Sequence, residues 1–289
     1  MIGVTKFRAG LVQLRSGRRV VENLAKAESL IRRAAEGGAI YVQTPENTGL
    51  MELKPELVLA AAETEERSAP LAHFRALAGE LGIVLHIGSL AIKLDQERVA
   101  NRSYLIGPEG TIVARYDKLH MFDVDLPGGE SYRESQYFRP GSKAVVADLP
   151  FGRIGFSICY DLRFPALYRA LAAAGAELIA VPSAFTRQTG EAHWRVLVRA
   201  RAIETGAFVL AATQGGLHEN GRATYGHSIV VSPWGEVLAE GGEEPGVVFA
   251  DIDLAASQEA RARIPALKHG RSFEVEVASA QPSEVKEAS

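Results

Sequence analysis

A single cysteine, Cys159, occurs in 289 residues, and it stands where a nucleophile would. The run from Arg153 to Cys159 is apolar and β-prone and ends at the sulfur. A short turn follows, then a helical pattern from Pro165 to about Ala174. A strand-to-helix elbow of this kind presents a side chain at the carboxyl edge of a sheet. Two other strand ends deliver charge: Pro45-Glu46-Asn47 a carboxylate, and Asp117-Lys118-Leu119 an ammonium. Amide hydrolysis needs a nucleophile, a proton shuttle and a donor to the tetrahedral oxyanion. A carboxylate beside a thiol raises its pKa by repulsion, and an ammonium lowers it. A Glu–Lys–Cys cluster combines the two. Lys118 offsets the charge of Glu46 and can donate to the oxyanion. Glu46 can take the thiol proton, pass it to leaving ammonia, and activate water for the second half-reaction. The backbone N–H of Tyr160 can complete the oxyanion hole. Taken singly, each residue has a plainer role: Cys159 as a small core hydrophobe, Glu46 as a helix-entry residue, Lys118 as a solvated strand end.

The elements that must position these groups follow from hydrophobic periodicity. Strands are expected over 7–14, 39–43, 83–92, 98–106, 111–116, 144–148, 154–159, 177–181, 208–213, 228–232, 236–238 and 247–252. Helices are expected over 20–35, 69–80, 165–174, 191–205 and 254–262. The stretch from Phe122 to Gly141 reads as one long irregular loop, a length that in a compact enzyme is usually functional. The two halves repeat a strand–helix–strand–helix scheme with no Pro/Gly/Ser-rich linker between them, which favours one domain of two stacked sheets between helical layers. Length alone also permits two domains. The last 25 or so residues read as an extended tail.

Hydrophobic content of 47% and charged content of 23% are ordinary for a globular enzyme, and a net charge of −3 supplies no basic field for nucleic acid. One cysteine excludes an intrachain disulfide and a multi-cysteine zinc site. No phosphate-cradling loop, dinucleotide fingerprint or His-Glu-x-x-His motif is present, so neither a nucleotide cofactor nor a metal is expected. No apolar run reaches the roughly 18 residues of a membrane span. The first residues enter a strand pattern without a signal-peptide core, so a cytoplasmic protein is expected.

These segments resemble the nitrilase superfamily of carbon–nitrogen hydrolases over nearly the whole chain. The resemblance implies a Glu–Lys–Cys triad at Glu46, Lys118 and Cys159, with Glu134 of the long loop positioning triad and substrate. Three stretches are more specific: Pro182 to Trp194, Arg199 to Glu204, and Tyr225-Gly226-His227-Ser228. With Cys159-Tyr160-Asp161-Leu162-Arg163-Phe164-Pro165 they resemble the branch of deaminated glutathione amidases and omega-amidases. Ser183-Ala184-Phe185 and the run from Arg222 to Ser228 lean toward the former. Gln43-Thr44 departs from the aliphatic residues usual before Pro45-Glu46, which bears on fine specificity and not on the triad. The implied fold is an α-β-β-α sandwich, with residues 1–265 as the hydrolase domain and 266–289 as a tail crossing a partner in a homodimer.

The resemblance also implies a substrate with an amide at one end and a 2-oxo acid at the other. Arg163, four residues past the nucleophile, is the candidate for bidentate carboxylate capture. Thr189 and the backbone near Phe185 are candidate partners. Arg163 could instead pair with Asp161 or Glu204. His193, Trp194 and Arg199 read as core or interface residues, and His227 as a loop-orienting residue rather than a base. Deaminated glutathione is the expected substrate, with the α-ketoglutaramate or succinamate of an omega-amidase as one alternative. A catalytically silent, protein-binding subunit is the other.

Overall fold

The computed structural model describes residues 5–279. Its first strand, β1 (Lys6–Gln13), alternates between two apolar environments with the period of two that a strand imposes. Phe7, Ala9 and Leu11 enter the space between two sheets, while Val12 and Leu14 join a layer under two helices. The first half continues as α1 (Val20–Glu36), β2 (Tyr41–Gln43), α2 (Pro55–Ala61), α3 (Ala69–Leu81), β3 (Val84–Lys93), β4 (Val99–Ile106) and β5 (Ile112–Asp117). A small hairpin, β6 (Asp123–Asp125) with β7 (Ser131–Arg133), leads to the second half. There β8 (Val146–Leu149), β9 (Gly152–Phe156), α4 (Pro165–Ala173), β10 (Leu178–Ala180), α5 (Arg187–Thr205) and β11 (Phe208–Ala211) follow. Then come a hairpin of β12 (Gly215–Leu217) and β13 (Ala223–Tyr225), β14 (Ile229–Val231), β15 (Val237–Glu240), β16 (Gly246–Asp253) and α6 (Ala255–Arg263).

The sheet orders are β16-β1-β2-β3-β4-β5 and β15-β14-β11-β10-β9-β8. Read from β16, the first pairs antiparallel, parallel, parallel, antiparallel, antiparallel. Read from β8, the second repeats that pattern. The repeat foreseen in the sequence is therefore a repeat of topology, with β9 taking the place of β1. Even the close contacts match. Gly10 of β1 and Gly155 of β9 both face a helix, and a Cβ on either would lie 3.0 Å from Ala34 of α1 or Leu171 of α4.

Ala27, Ile31, Phe74 and Leu77 pack α1 and α3 on the outer face of the first sheet. Leu167, Leu171, Trp194 and Val198 pack α4 and α5 on the outer face of the second. Tyr41, Leu105, Tyr116 and Phe156 fill the layer between the sheets. The fold is an α-β-β-α sandwich. Full burial of a side chain such as Ile31 contributes roughly 1.5–3 kcal/mol.

Three departures from the expected elements have local causes. Helix α5 begins at Arg187 rather than Glu191, because the Thr186 hydroxyl accepts the Thr189 N–H (3.3 Å) and caps it. The strand before Cys159 ends at Phe156, and Cys159 itself opens a 3-10 turn, Cys159–Arg163. The long loop contains β6, β7 and a 3-10 turn at Glu134–Gln136, segments too short to show periodicity. Among the described residues, those after Arg263 form no further helix or strand. The part of the expected tail from 280 to 289 lies outside the described residues. No helix among the described residues is long and apolar enough to cross a membrane.

Candidate active site

Glu46 leaves the carboxyl end of β2 on a turn pinned from three sides. Thr48 Oγ1 bonds Thr44 Oγ1 (2.8 Å) and the Pro45 carbonyl (2.7 Å). The Asn47 N–H, on a residue with φ +59°, donates to Ser89 Oγ (2.9 Å). Gln214 Nε2, from the second half, donates to the Glu46 carbonyl (3.0 Å). Gly88 makes the turn possible, since a Cβ there would sit 2.2 Å from the Thr44 carbonyl oxygen.

Cys159 lies just past the end of β9, the strand equivalent to β1, with φ +49°, a conformation non-glycine residues rarely adopt. Its N–H donates to the Pro182 carbonyl (2.9 Å). Buried Asp161 holds the elbow. It accepts from the Ile158 N–H (2.8 Å), the Tyr116 hydroxyl (2.6 Å) and the His120 N–H (3.1 Å). Tyr116 and His120 flank Lys118, so one carboxylate fixes the thiol segment and the lysine segment together. The Tyr160 N–H has no acceptor among the described residues.

Lys118 directly follows β5 and is buried. Its Nζ lies 2.9 Å from Glu46 Oε1 and 3.0 and 2.8 Å from the two oxygens of Glu134. Asn101, from the middle of β4, donates to both carboxylates, at 3.0 Å to Glu46 Oε1 and 3.1 Å to Glu134 Oε1. The Phe122 N–H completes the Glu134 shell at 2.6 Å. Burial alone would drive the Lys118 ammonium down, but the Glu134 and Glu46 carboxylates outweigh it and raise its pKa. Burial would likewise raise Glu46, and the charge and hydrogen bond of Lys118 overcome that and lower it. Burial and then the charge of Glu46 raise the Cys159 thiol, with Lys118 opposing. The resting site is thus a thiol between a carboxylate and an ammonium. Such an arrangement can pass a thiol proton to the carboxylate.

Glu46, Lys118, Glu134, Cys159, Tyr160, Arg163, Phe185 and Thr189 all line one cavity of about 270 Å³. Neither structural role weighed for Arg163 is realised. Asp161 is engaged as described, and Glu204 pairs with Arg201 (2.8 Å). The Arg163 guanidinium instead packs against the Tyr160 and Phe185 rings and meets His193 Nδ1 at 3.2 Å. Trp194 is buried, with Nε1 on the His227 carbonyl (2.9 Å), and Arg199 bonds the Gly235 carbonyl (2.8 Å). Among the described residues, no group of three His, Cys, Asp or Glu side chains could hold a metal ion.

The carbon–nitrogen hydrolase family model matches residues 8–262. The chain belongs to this family. It is 39% identical to the deaminated glutathione amidase of Yersinia enterocolitica, over 90% of this chain and 92% of that protein. It is 37% identical to the human omega-amidase NIT2, over 93% of this chain and 96% of that one. A solved variant of the amidase from Nesterenkonia sp. AN1, with the acetamide moiety of fluoroacetamide added covalently at its active-site cysteine, superposes with a TM-score of 0.76. That chain is 30% identical, and the match covers 90% of this chain and 95% of that one.

Several residues of this carbon–nitrogen hydrolase site escaped the sequence reading: Asn101, Asp161 as the organiser of the elbow, Gln214, Gly88 and Arg222. Asn101 carried a usable signal. A carboxamide in a strand bounded by Val99-Ala100 and Tyr104-Leu105-Ile106 must find partners when buried. Gln214 and Gly88 act through backbone contacts to a turn far away in sequence, which no local pattern shows.

Proposed function

We propose that this protein is a thiol amidase that cleaves the amide of a 2-oxo acid amide through a thioester, with deaminated glutathione as its substrate. The observation that carries this reading is the convergence of Cys159, Glu46 and Lys118 at one cavity wall. The Arg163 guanidinium stands four residues from the sulfur with no carboxylate partner among the described residues. In this scheme Glu46 accepts the thiol proton as Cys159 attacks the amide carbon. The Lys118 ammonium and the Tyr160 N–H hold the oxyanion. Glu46 returns the proton to the leaving nitrogen, then deprotonates the water that attacks the thioester. Glu134 and Asn101 hold Lys118 and Glu46 in register. Arg163, with Phe185 and the Thr189 region, takes the 2-oxo carboxylate. With deaminated glutathione the leaving group is a dipeptide amine, and ammonia leaves only from a primary amide such as α-ketoglutaramate.

The names of the curated relatives support both an amidase of deaminated glutathione and an omega-amidase. The lack of a carboxylate partner for Arg163 is common to the two readings. We further take residues 1–265 as one hydrolase domain acting as a homodimer, with residues 266–289 crossing to the partner. Exposed Val196 and Ile203 on α5, with Trp234 and Ile264 nearby, would be covered that way. A free thiol nucleophile suits a reducing compartment, which supports a cytoplasmic location.

The test is 2-oxoglutarate release from deaminated glutathione and from α-ketoglutaramate at matched low concentrations, on protein whose mass is read by sedimentation. A higher kcat/KM for deaminated glutathione and a mass of two chains are expected. Preference for α-ketoglutaramate makes it an omega-amidase. Turnover of neither removes the amidase reading, and a one-chain mass removes the dimer.

A further inference from the structure

The cavity holds a second guanidinium that the scheme above does not use. Arg222 reaches in from the β12–β13 hairpin and lines the same cavity as Glu46 and Ala184. Among the described residues its only hydrogen-bond acceptor is the Ala184 carbonyl, and its Nε is buried with no partner. It stacks over the Tyr132 ring, 5.2 Å from centroid to Cζ.

The carboxylates of the cavity are all engaged elsewhere. Glu46 and Glu134 are held by Lys118 and Asn101. Glu52 accepts from Arg18 Nε (2.7 Å) and the Leu53 and Lys54 N–H groups. A third cavity arginine, Arg133, is neutralised by Asp125 (2.8 Å). Arg163 and Arg222 are therefore the two cavity guanidiniums without a carboxylate partner among the described residues. A half-buried guanidinium with most of its donors idle is costly unless an anion arrives to use them.

The two are held by different groups. Arg163 packs against Tyr160, Phe185 and His193. Arg222 packs against Tyr132 and the Ala184 carbonyl, close enough to Glu46 for its charge to help lower that carboxyl. Neighbouring residues hold both, since the Ala184 carbonyl accepts from Arg222 and the Phe185 ring packs on Arg163. An amide carbon placed at the sulfur thus shares its cavity with two idle guanidiniums held by different groups.

We propose that Arg222 is a second anion subsite, which binds a carboxylate carried by the leaving amine. The preferred substrates are then dianions with a carboxylate on each side of the cleaved amide. This rests on the amidase reading and assigns its specificity: a leaving group that ends in a free carboxylate is favoured over ammonia or a neutral amine.

The test is calorimetric binding to the full-length Cys159→Ala protein, using deaminated glutathione and the same molecule with its C-terminal carboxylate converted to a carboxamide. The carboxylate form is expected to bind about ten-fold tighter, about 1.4 kcal/mol. Adding Arg222→Gln should bring that ratio to within about two-fold of one, the size expected for loss of a charge-assisted contact. Arg222→Lys should recover part of the ratio. Adding Arg163→Gln should weaken both ligands and preserve the ratio. A ratio near one in the Cys159→Ala protein overturns the assignment. So do a ratio unmoved by Arg222→Gln, one abolished by Arg163→Gln instead, or no binding of either ligand. Turnover of the same pair by the protein with Cys159 intact judges the amidase reading separately: binding preference without turnover sinks that reading and leaves the subsite standing.

Discussion

At the scale of single residues, the thiol is held neutral by burial and by Glu46, and is drawn the other way chiefly by Lys118, with the Ala184 backbone a smaller influence. This sets opposite signs for two substitutions. Glu46→Gln removes an influence that raises the thiol pKa, so the pH midpoint for alkylation of Cys159 by a small neutral reagent should fall. Lys118→Met removes the larger of the influences that lower it, so the midpoint should rise. Both should lose turnover, Glu46→Gln by about 10²–10⁴-fold in kcat, the usual span for a general acid–base group. The alkylation profile separates electrostatic coupling from simple damage, because a misfolded site would move both variants the same way. A Glu46→Gln protein keeping kcat within about ten-fold would remove Glu46 as the proton carrier.

At the scale of elements, the three central residues were legible because each is a rare or costly type at the end of an apolar run. Cys159, Glu46 and Lys118 follow β9, β2 and β5, and the parallel strands at the middle of each sheet present their carboxyl ends together. The devices that hold them were illegible because they work by close approach and by partners remote in sequence. Gly88 reads as an ordinary strand glycine until β3 is seen against Thr44-Pro45. Asp161 reads as a possible partner for Arg163 until Tyr116 and His120 are seen around it. The polar hairpins β6–β7 and β12–β13, three residues a strand, carry no period, yet they bring Tyr132 and Arg222 to the cavity. Gly88→Ala tests this level. Its Cβ would meet backbone atoms of Thr44 and Pro45, at 2.2 and 2.4 Å, that cannot rotate away. We expect a loss of about 1–3 kcal/mol in urea unfolding, the usual cost of overpacking. Turnover should fall further than stability does, because the displaced turn carries Glu46. An alanine variant with normal kcat would show that the Glu46 turn tolerates displacement.

At the scale of the whole molecule, the two sheets share a buried polar chain that fixes the tautomer of His86. The Ala212 N–H donates to Gln43 Oε1 (2.9 Å), and Gln43 Nε2 donates to the Tyr41 hydroxyl (3.3 Å). Tyr41 meets His86 Nδ1 (2.9 Å), and His86 Nε2 meets Ser103 Oγ (2.8 Å). Ser103 commits its one hydrogen to the Ile87 carbonyl (2.9 Å), so His86 Nε2 must donate and Nδ1 must accept from Tyr41. The unusual Gln43 is thus a tie between the sheets, away from the substrate cavity. Protonated His86 would point a hydrogen at the Tyr41 hydroxyl and leave that hydroxyl's own hydrogen without an acceptor. Burial pushes the His86 imidazole down to about 3. Burial also takes His218, set between the Ser16 carbonyl (2.8 Å) and the Thr224 hydroxyl (2.7 Å), down to about 4. In the unfolded chain both titrate near 6.5, so between that value and their folded values the unfolded chain binds more protons, and stability falls as pH falls. Each histidine contributes a slope of up to about 1.4 kcal/mol per pH unit. Urea midpoints should therefore hold from about pH 8 to 7 and decline from about 6.5 to 4.5. That range lies above the one in which carboxyls such as Glu52 and Glu65, held below their usual values by their arginine partners and other hydrogen bonds against burial, take over. His86→Gln should lower the plateau but roughly halve the slope of that decline, since one of the two protons is gone. A flat profile from about pH 7 to 5 would mean that both histidines are charged in the fold, and that the chain joining the sheets is wired differently.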